Sequence, residues 1–234
     1  MHIPDGFIDA PVSLAAAVTS AGVLAVAVRK GRDELDDRLI PMAGLTAAFV
    51  FAMQMVNFPV AAGTSGHLLG GLLAAALVGP WLGAISIAVV LFVQALLFAD
   101  GGLSALGLNV LNMAVVGVLG GYAVLRVLLR LLPRVRGRVP LTALVGVAAW
   151  ASVMLAAGAF VIEYALGATS DVATSTVATA VLGVHALVGV GEGVITAVVV
   201  GTVLAVRPDL VYIGGLLRGP QQLEIRQPTP VVVR

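Results

Sequence analysis

The chain has 234 residues, of which 60% are hydrophobic and only 11% charged, with a net charge of +1 and a mean hydropathy of +1.09. Soluble domains carry about 25% charged residues, so these values exclude a soluble globular domain and point to one integral membrane domain. Cysteine is absent, which excludes disulfides, thiolate ligands, iron-sulfur clusters and cysteine nucleophiles, and leaves nitrogen and oxygen as the main metal donors.

Residues 1–11 read as a short polar segment ahead of the first apolar run. It begins Met1-His2-Ile3-Pro4-Asp5-Gly6. A histidine directly after the chain start offers three nitrogens on one piece of backbone: the α-amine of Met1, the amide of His2 and the near nitrogen of its ring. Together they close adjacent five- and six-membered chelate rings in one plane. Such a set suits nickel(II) or copper(II) and is poor for zinc, which prefers a tetrahedron. One further imidazole would complete a square, and His67 is the candidate.

Residues 12–28 form an apolar run close to the ~20 residues that cross a bilayer as a helix. Arg29-Lys30-Gly31-Arg32 follow it. A cleavable signal peptide has its positive residues before its apolar core, so this run reads as an uncleaved span with its amino terminus outside. Retention of Met1 is expected, because removal generally needs a small second residue and His2 is large. A second span is expected over residues 39–58, with Pro41 near its start. The turn-rich Pro59-Val60-Ala61-Ala62-Gly63-Thr64-Ser65-Gly66-His67 then returns His67 to the face that holds Met1. A short third stretch, 68–78, reaches Gly79-Pro80-Trp81, and a fourth, 82–99, comes back to Asp100-Gly101-Gly102. The fifth begins near Leu106 and runs into Arg126 and Arg130. Two more are expected over 141–166 and 177–206, with a polar loop at 167–176 between them. The tail, 207–234, is expected on the inner side and partly extended, its glycines and prolines arguing against a further helix.

The fold class is therefore all-α: a polytopic membrane helical bundle of about seven transmembrane helices over residues 12–206, amino terminus outside and carboxyl terminus inside. Charge supports that count. Arg29, Lys30, Arg32 and Arg38 fall in the first inner loop, Arg126, Arg130, Arg134, Arg136 and Arg138 around the second, and Arg207, Arg218, Arg226 and Arg234 in the tail. These are all 13 basic residues of the chain, and every group lies on the inner side, as the positive-inside rule requires. Ala17, Ala21 and Ala25 recur at intervals of four on one face of the first span. Small side chains there serve either internal packing or the docking of a partner membrane subunit.

His67 alone is an ordinary loop histidine. Its place after a glycine-rich turn, under the amino terminus, makes it a metal ligand candidate with Met1 and His2. Asn57, Thr64 and Ser65 are candidates to orient it, and Asp5 reads first as a loop carboxylate before Gly6. His185 and Glu192 stand seven residues apart on the last span, close to one helical face. They serve either a hydrogen-bond network between helices or a path for an ion. Gly191 and Gly193 beside them suggest close helix contact. Glu163 is expected as an acid at the depth of the membrane interface. The only lysine, Lys30, has no glycine loop ahead of it, so no ATP-binding phosphate loop is present. No zinc-protease or serine-hydrolase motif is found, and the basic residues lack the aromatic interleaving of a nucleic-acid site.

Four stretches resemble the CbiM/NikM family, the substrate-binding membrane subunit of energy-coupling-factor transporters for cobalt and nickel. They are Met1 to Phe7; Gln54-Met55-Val56-Asn57-Phe58-Pro59-Val60 running on to Gly63-Thr64-Ser65-Gly66-His67-Leu68-Leu69-Gly70-Gly71; Gly107-Leu108-Asn109-Val110-Leu111-Asn112-Met113; and His185 to Gly193. The resemblance implies seven helices in a prokaryotic cytoplasmic membrane. It implies an ion held by the amine of Met1, the amide and ring of His2 and the ring of His67, with no resident cofactor. Its implied partners are a coupling transmembrane subunit, cytoplasmic ATPase subunits and a small auxiliary membrane protein, with no nucleic acid. The Pro4-Asp5 pair looks nearer the nickel-type members, although nickel(II) and cobalt(II) both accept nitrogen donors. The expected function is capture of nickel(II) or cobalt(II) outside and delivery inward, driven by partner ATPases. The rivals are a self-sufficient metal channel or secondary carrier, and an intramembrane enzyme with His185 and Glu192 as acid and base.

Overall fold

Asp9 starts the first helix: its carboxylate accepts from the Val12 amide at 3.0 Å, and a proline stands in the first turn. This satisfies one of the amides that a helix start leaves without a partner. The computed structural model describes residues 1–56, 58–59, 65–133 and 137–217. Among these the helices are α1 (Ala10–Glu34), α2 (Leu39–Gln54), α3 (Gly71–Val78), α4 (Pro80–Leu97), α5 (Leu106–Leu131), α6 (Arg138–Gly167) and α7 (Thr174–Val206). The chain is an all-α membrane bundle. Five of these helices, α1, α4, α5, α6 and α7, are long and apolar enough to cross a membrane. α2 has 16 residues.

The expected third span is the largest departure. α3 has eight residues, about 12 Å of helix against a hydrocarbon core of about 30 Å. Every one of those residues is buried, with α2, α4, α5, α6 and α7 packed around them. Non-helical chain at membrane depth is tolerated where protein covers it, and residues 67–70 lead into α3 under such cover. A two-residue antiparallel pair, β1 (Phe58–Pro59) with β2 (Ser65–Gly66), closes the hairpin just before them. α1 also runs further than residues 12–28, carrying its basic residues as a last helical turn.

α5 is not a uniform α-helix. Residues Val110–Gly120 are wound as a π-helix, and Ser152 of α6 donates to the Gly117 carbonyl at 2.7 Å. π segments leave carbonyls offset from the regular ladder, and this hydroxyl meets one of them. α6 and α7 form a long antiparallel pair. A methyl built on Gly193 would lie 2.8 Å from the Gly146 carbonyl oxygen, so bare Cα atoms let the two backbones touch. Gly191, expected in the same role, faces open space instead.

The first part of the tail is not extended. It makes two 3-10 turns, Pro208–Leu210 and Tyr212–Leu217, which bury Val211 and Ile213 and set the Tyr212 ring against Gly79. Residues 218–234 lie outside the described residues. In α1 the buried positions are Ala16, Ser20, Ala27 and Gly31. Ala17 packs against Gly107 of α5, while Ala21 and Ala25 are exposed, so the alanine strip divides between internal packing and a free face.

Candidate metal centre

Residues 1–9 fold back into one end of the bundle, and several polar groups on the way are held, while His2 Nε2 is buried without a hydrogen-bond partner. The Ile3 amide donates to Asn109 Oδ1 at 2.8 Å, and Asn109 Nδ2 donates to the Ile3 carbonyl at 3.3 Å. The Gly102 amide adds a second donor to that carbonyl at 2.9 Å. Asp5 Oδ1 accepts from the amide of Ser104 at 2.7 Å and from its hydroxyl at 2.6 Å, so this exposed carboxylate is a latch between two loops rather than a solitary loop charge. Those bonds hold its carboxyl below the usual carboxylate range. Phe7 packs with Phe160 and Tyr164. Thr169 Oγ1 donates to the Gly6 carbonyl at 2.7 Å, and the Asp9 amide to that of Gly167 at 2.7 Å. Met1 and His2 are 2% and 4% exposed in consequence.

His67 meets them from the other side. It is fully buried, and its ring stacks on that of His2 with centroids 4.5 Å apart. Its Nδ1 lies 2.9 Å from the Leu68 carbonyl. A ring nitrogen facing a carbonyl carries the proton, which leaves the lone pair on Nε2. That Nε2 is buried without a hydrogen-bond partner. The loop behind it is anchored by Glu192 of α7, whose Oε2 accepts from the Leu69 amide at 2.6 Å and whose Oε1 accepts from the Gly70 amide at 2.9 Å. Gln54 Nε2 donates to the Leu69 carbonyl at 2.7 Å. Glu192 therefore ties the chain just ahead of α3 to α7.

Burial favours the unprotonated forms of these nitrogens. Burial lowers the Met1 amine well below its ordinary value, partly offset by the Asp100 charge. Burial, aided by the neighbouring amino terminus, holds His2 down to about 3. The same two causes in the same order depress His67. Neutral amine and imidazole are the forms that bind metal. Among the described residues no three His, Asp or Glu side chains converge.

Of the other expected residues, His185 is buried with Nδ1 2.8 Å from the Val181 carbonyl and Nε2 without a partner. Asn57 and Thr64 lie outside the described residues, as does the side chain of Ser65. Glu163 turns into the bundle: it is 7% exposed and accepts from Asn112 Nδ2 at 2.6 Å. Hydropathy gives a residue's depth but not which way its helix face turns. Asn109, Gln54 and Asp100 are supports that the sequence alone does not single out. For Asn109 the available signal was an amide placed early in an apolar helix.

The CbiM family, described as a cobalt uptake substrate-specific transmembrane region, matches residues 2–210. The chain belongs to this family. A metal transport protein of Haloquadratum walsbyi is 41% identical over 91% of this chain and 94% of its own length. A fused nickel transport protein, NikMN, of Archaeoglobus fulgidus is 42% identical over 90% of this chain and 68% of its own length. The crystal structure of a transition metal transporter superposes with a TM-score of 0.82 at 30% identity, covering 94% of this chain and all of that one. As a CbiM-family chain with these apolar helices, the protein is a multi-pass prokaryotic membrane component of cobalt or nickel transport.

Proposed function

We propose that the chain is the capture subunit of an energy-coupling-factor transporter, taking up nickel(II) or cobalt(II) on the amino-terminal face, which faces outward. The amine of Met1, the ionised amide and Nδ1 of His2, and Nε2 of His67 hold the ion in one plane. The observation that carries this reading is the buried, unpartnered Nε2 of His67 beside the stacked ring of His2. The ring, amide and amine of residues 1–2 offer an adjoining chelate, and planar nitrogen ligation favours these d-block ions over magnesium or calcium. The ion is the cargo. Its release inward requires residues 1–9 to let go, driven by cytoplasmic ATPase subunits through a coupling transmembrane subunit, with a small auxiliary membrane protein assisting capture. The exposed Ala21 and Ala25 on α1 are the proposed contact for the coupling subunit. Both oxygens of Glu192 are engaged by main-chain amides, which leaves an acid-base pair with His185 without support.

One residue added ahead of Met1 displaces the amine while leaving the helices intact. Purified protein so extended is expected to lose tight nickel binding in a metal titration and to keep its thermal unfolding temperature without metal. Retained affinity would sink the proposed ligand set.

A further inference from the structure

A divalent ion held by a neutral amine, one ionised amide and two neutral imidazoles keeps one uncompensated positive charge. Burying such a charge is costly unless an opposite one stands near. The structure places one there. Asp100 follows α4 in a loop whose backbone turns twice into the left-handed region, at Ala99 with φ +52° and at Gly101 with φ +92°. Alanine rarely adopts that conformation, and an outlier of this kind commonly marks a functional constraint. The loop is tied at both ends: the Asp100 amide donates to the Gln94 carbonyl at 3.1 Å, and the Gly102 amide to the Ile3 carbonyl at 2.9 Å. The result is a carboxylate oxygen, Oδ2, 3.6 Å from Nε2 of His2, with the two side chains 16% and 3% exposed.

The nitrogen that Asp100 faces is the far one of the ring, and the chelate uses the near one. A methyl at Gly101 would lie 3.2 Å from His2 Nδ1 and 3.0 Å from Asn109 Nδ2, so glycine leaves clear the side of the ring where the ion would sit. Metal-bound histidines generally donate their second N–H to a carboxylate or carbonyl, which fixes the tautomer and strengthens the ligand nitrogen. His67 has such an acceptor in the Leu68 carbonyl.

We infer that Asp100 is a positioning residue of this centre: its carboxylate takes the Nε2–H of His2, reserves Nδ1 for the ion, and makes the loaded site neutral. The inference rests on the ligation by Met1, His2 and His67 proposed above. It assigns to a residue outside the ligand set both the donor strength of His2 and the preference for a divalent ion that ionises the amide.

The test is a nickel(II) titration of the purified full chain, with absorption spectra, on the wild type and on Asp100→Asn, Asp100→Glu and His67→Ala. Asp100→Asn is expected to bind about 10- to 100-fold more weakly, with the d–d band of planar nickel moved to longer wavelength because the imidazole is a weaker donor. Asp100→Glu, which keeps the charge, is expected to recover most of the affinity and the wild-type band. His67→Ala is expected to lose the planar band altogether. Asp100→Ser removes the charge with a smaller side chain and replaces the Asn variant if that does not fold. Wild-type affinity in the uncharged variant, or weaker binding with an unmoved band, overturns the role of Asp100 while leaving the ligands standing. A wild type without a planar band, or a His67→Ala that keeps it, overturns the ligand set and this inference with it.

Discussion

His2 reaches the site already neutral, because burial and the adjacent amino terminus hold its ring down to about 3. The Met1 amine is lowered by burial too. In the proposed ligand set the amide of His2 has a proton to lose when the ion binds, and burial favours an amine that is already neutral. Nickel affinity is expected to rise roughly tenfold per pH unit through neutrality, with about one proton released per ion, and calorimetry in buffers of different ionisation heat would count it. Two protons would mean that the amine is charged before binding. The same shifts bear on stability. A base whose folded pKa is lowered takes up more protons when released, so the stability of the closed segment is fully present above the ordinary histidine value of 6.5 and is lost as pH falls toward about 3. Hydrogen exchange at the Ile3 amide is expected to quicken over that interval. At this scale the sequence offers the candidate ligands but not the residues that support them. A histidine at position 2 is visible by itself, whereas Asn109 and Asp100 acquire meaning only when a helix start and a loop about a hundred residues away are brought against residues 2 and 3.

The short helix α3 depends on a residue of another helix. Its first amides have no partners of their own, and Glu192 of α7 accepts from the two amides just ahead of it. Replacing that carboxylate with Ala leaves two buried amides unsatisfied, at about 1–3 kcal/mol each. Glu192→Ala is expected to lower the unfolding temperature in detergent by several degrees and to weaken nickel binding, since His67 stands two residues before Leu69. An unchanged melting curve would show that the cap contributes nothing. Apolar runs mark where the helices among the described residues lie, because burial in lipid writes itself as unbroken hydrophobicity. They did not foresee that α3 stops after two turns. Hydropathy cannot distinguish a helix buried among neighbours from one that crosses the membrane. The same limit hid the inward turn of Glu163 and the buried 3-10 turns after α7.

The whole molecule shows two unlike ends. One gathers residues 1–9, Asp100 and the loop after α6. The other carries the basic end of α1 and the tail turns, where Arg207 pairs with Asp209 at 2.8 Å. By the positive-inside rule, the second end is the one proposed to face inward. Single cysteines in this cysteine-free chain offer a direct check. In intact cells, Ser170→Cys beyond α6 is expected to react with a membrane-impermeant maleimide, and Asp37→Cys between α1 and α2 to react only after the membrane is opened. The reverse pattern would invert the direction of transport.

The burial of the Met1 nitrogen reaches back to synthesis of the chain. Under the proposed ligand set, a formyl cap on Met1 would convert that amine into an amide and remove its donor pair, leaving the chain unable to hold the ion. Deformylation would then serve as the maturation step, and a cell deprived of deformylase activity would accumulate correctly inserted subunits unable to take up their cargo.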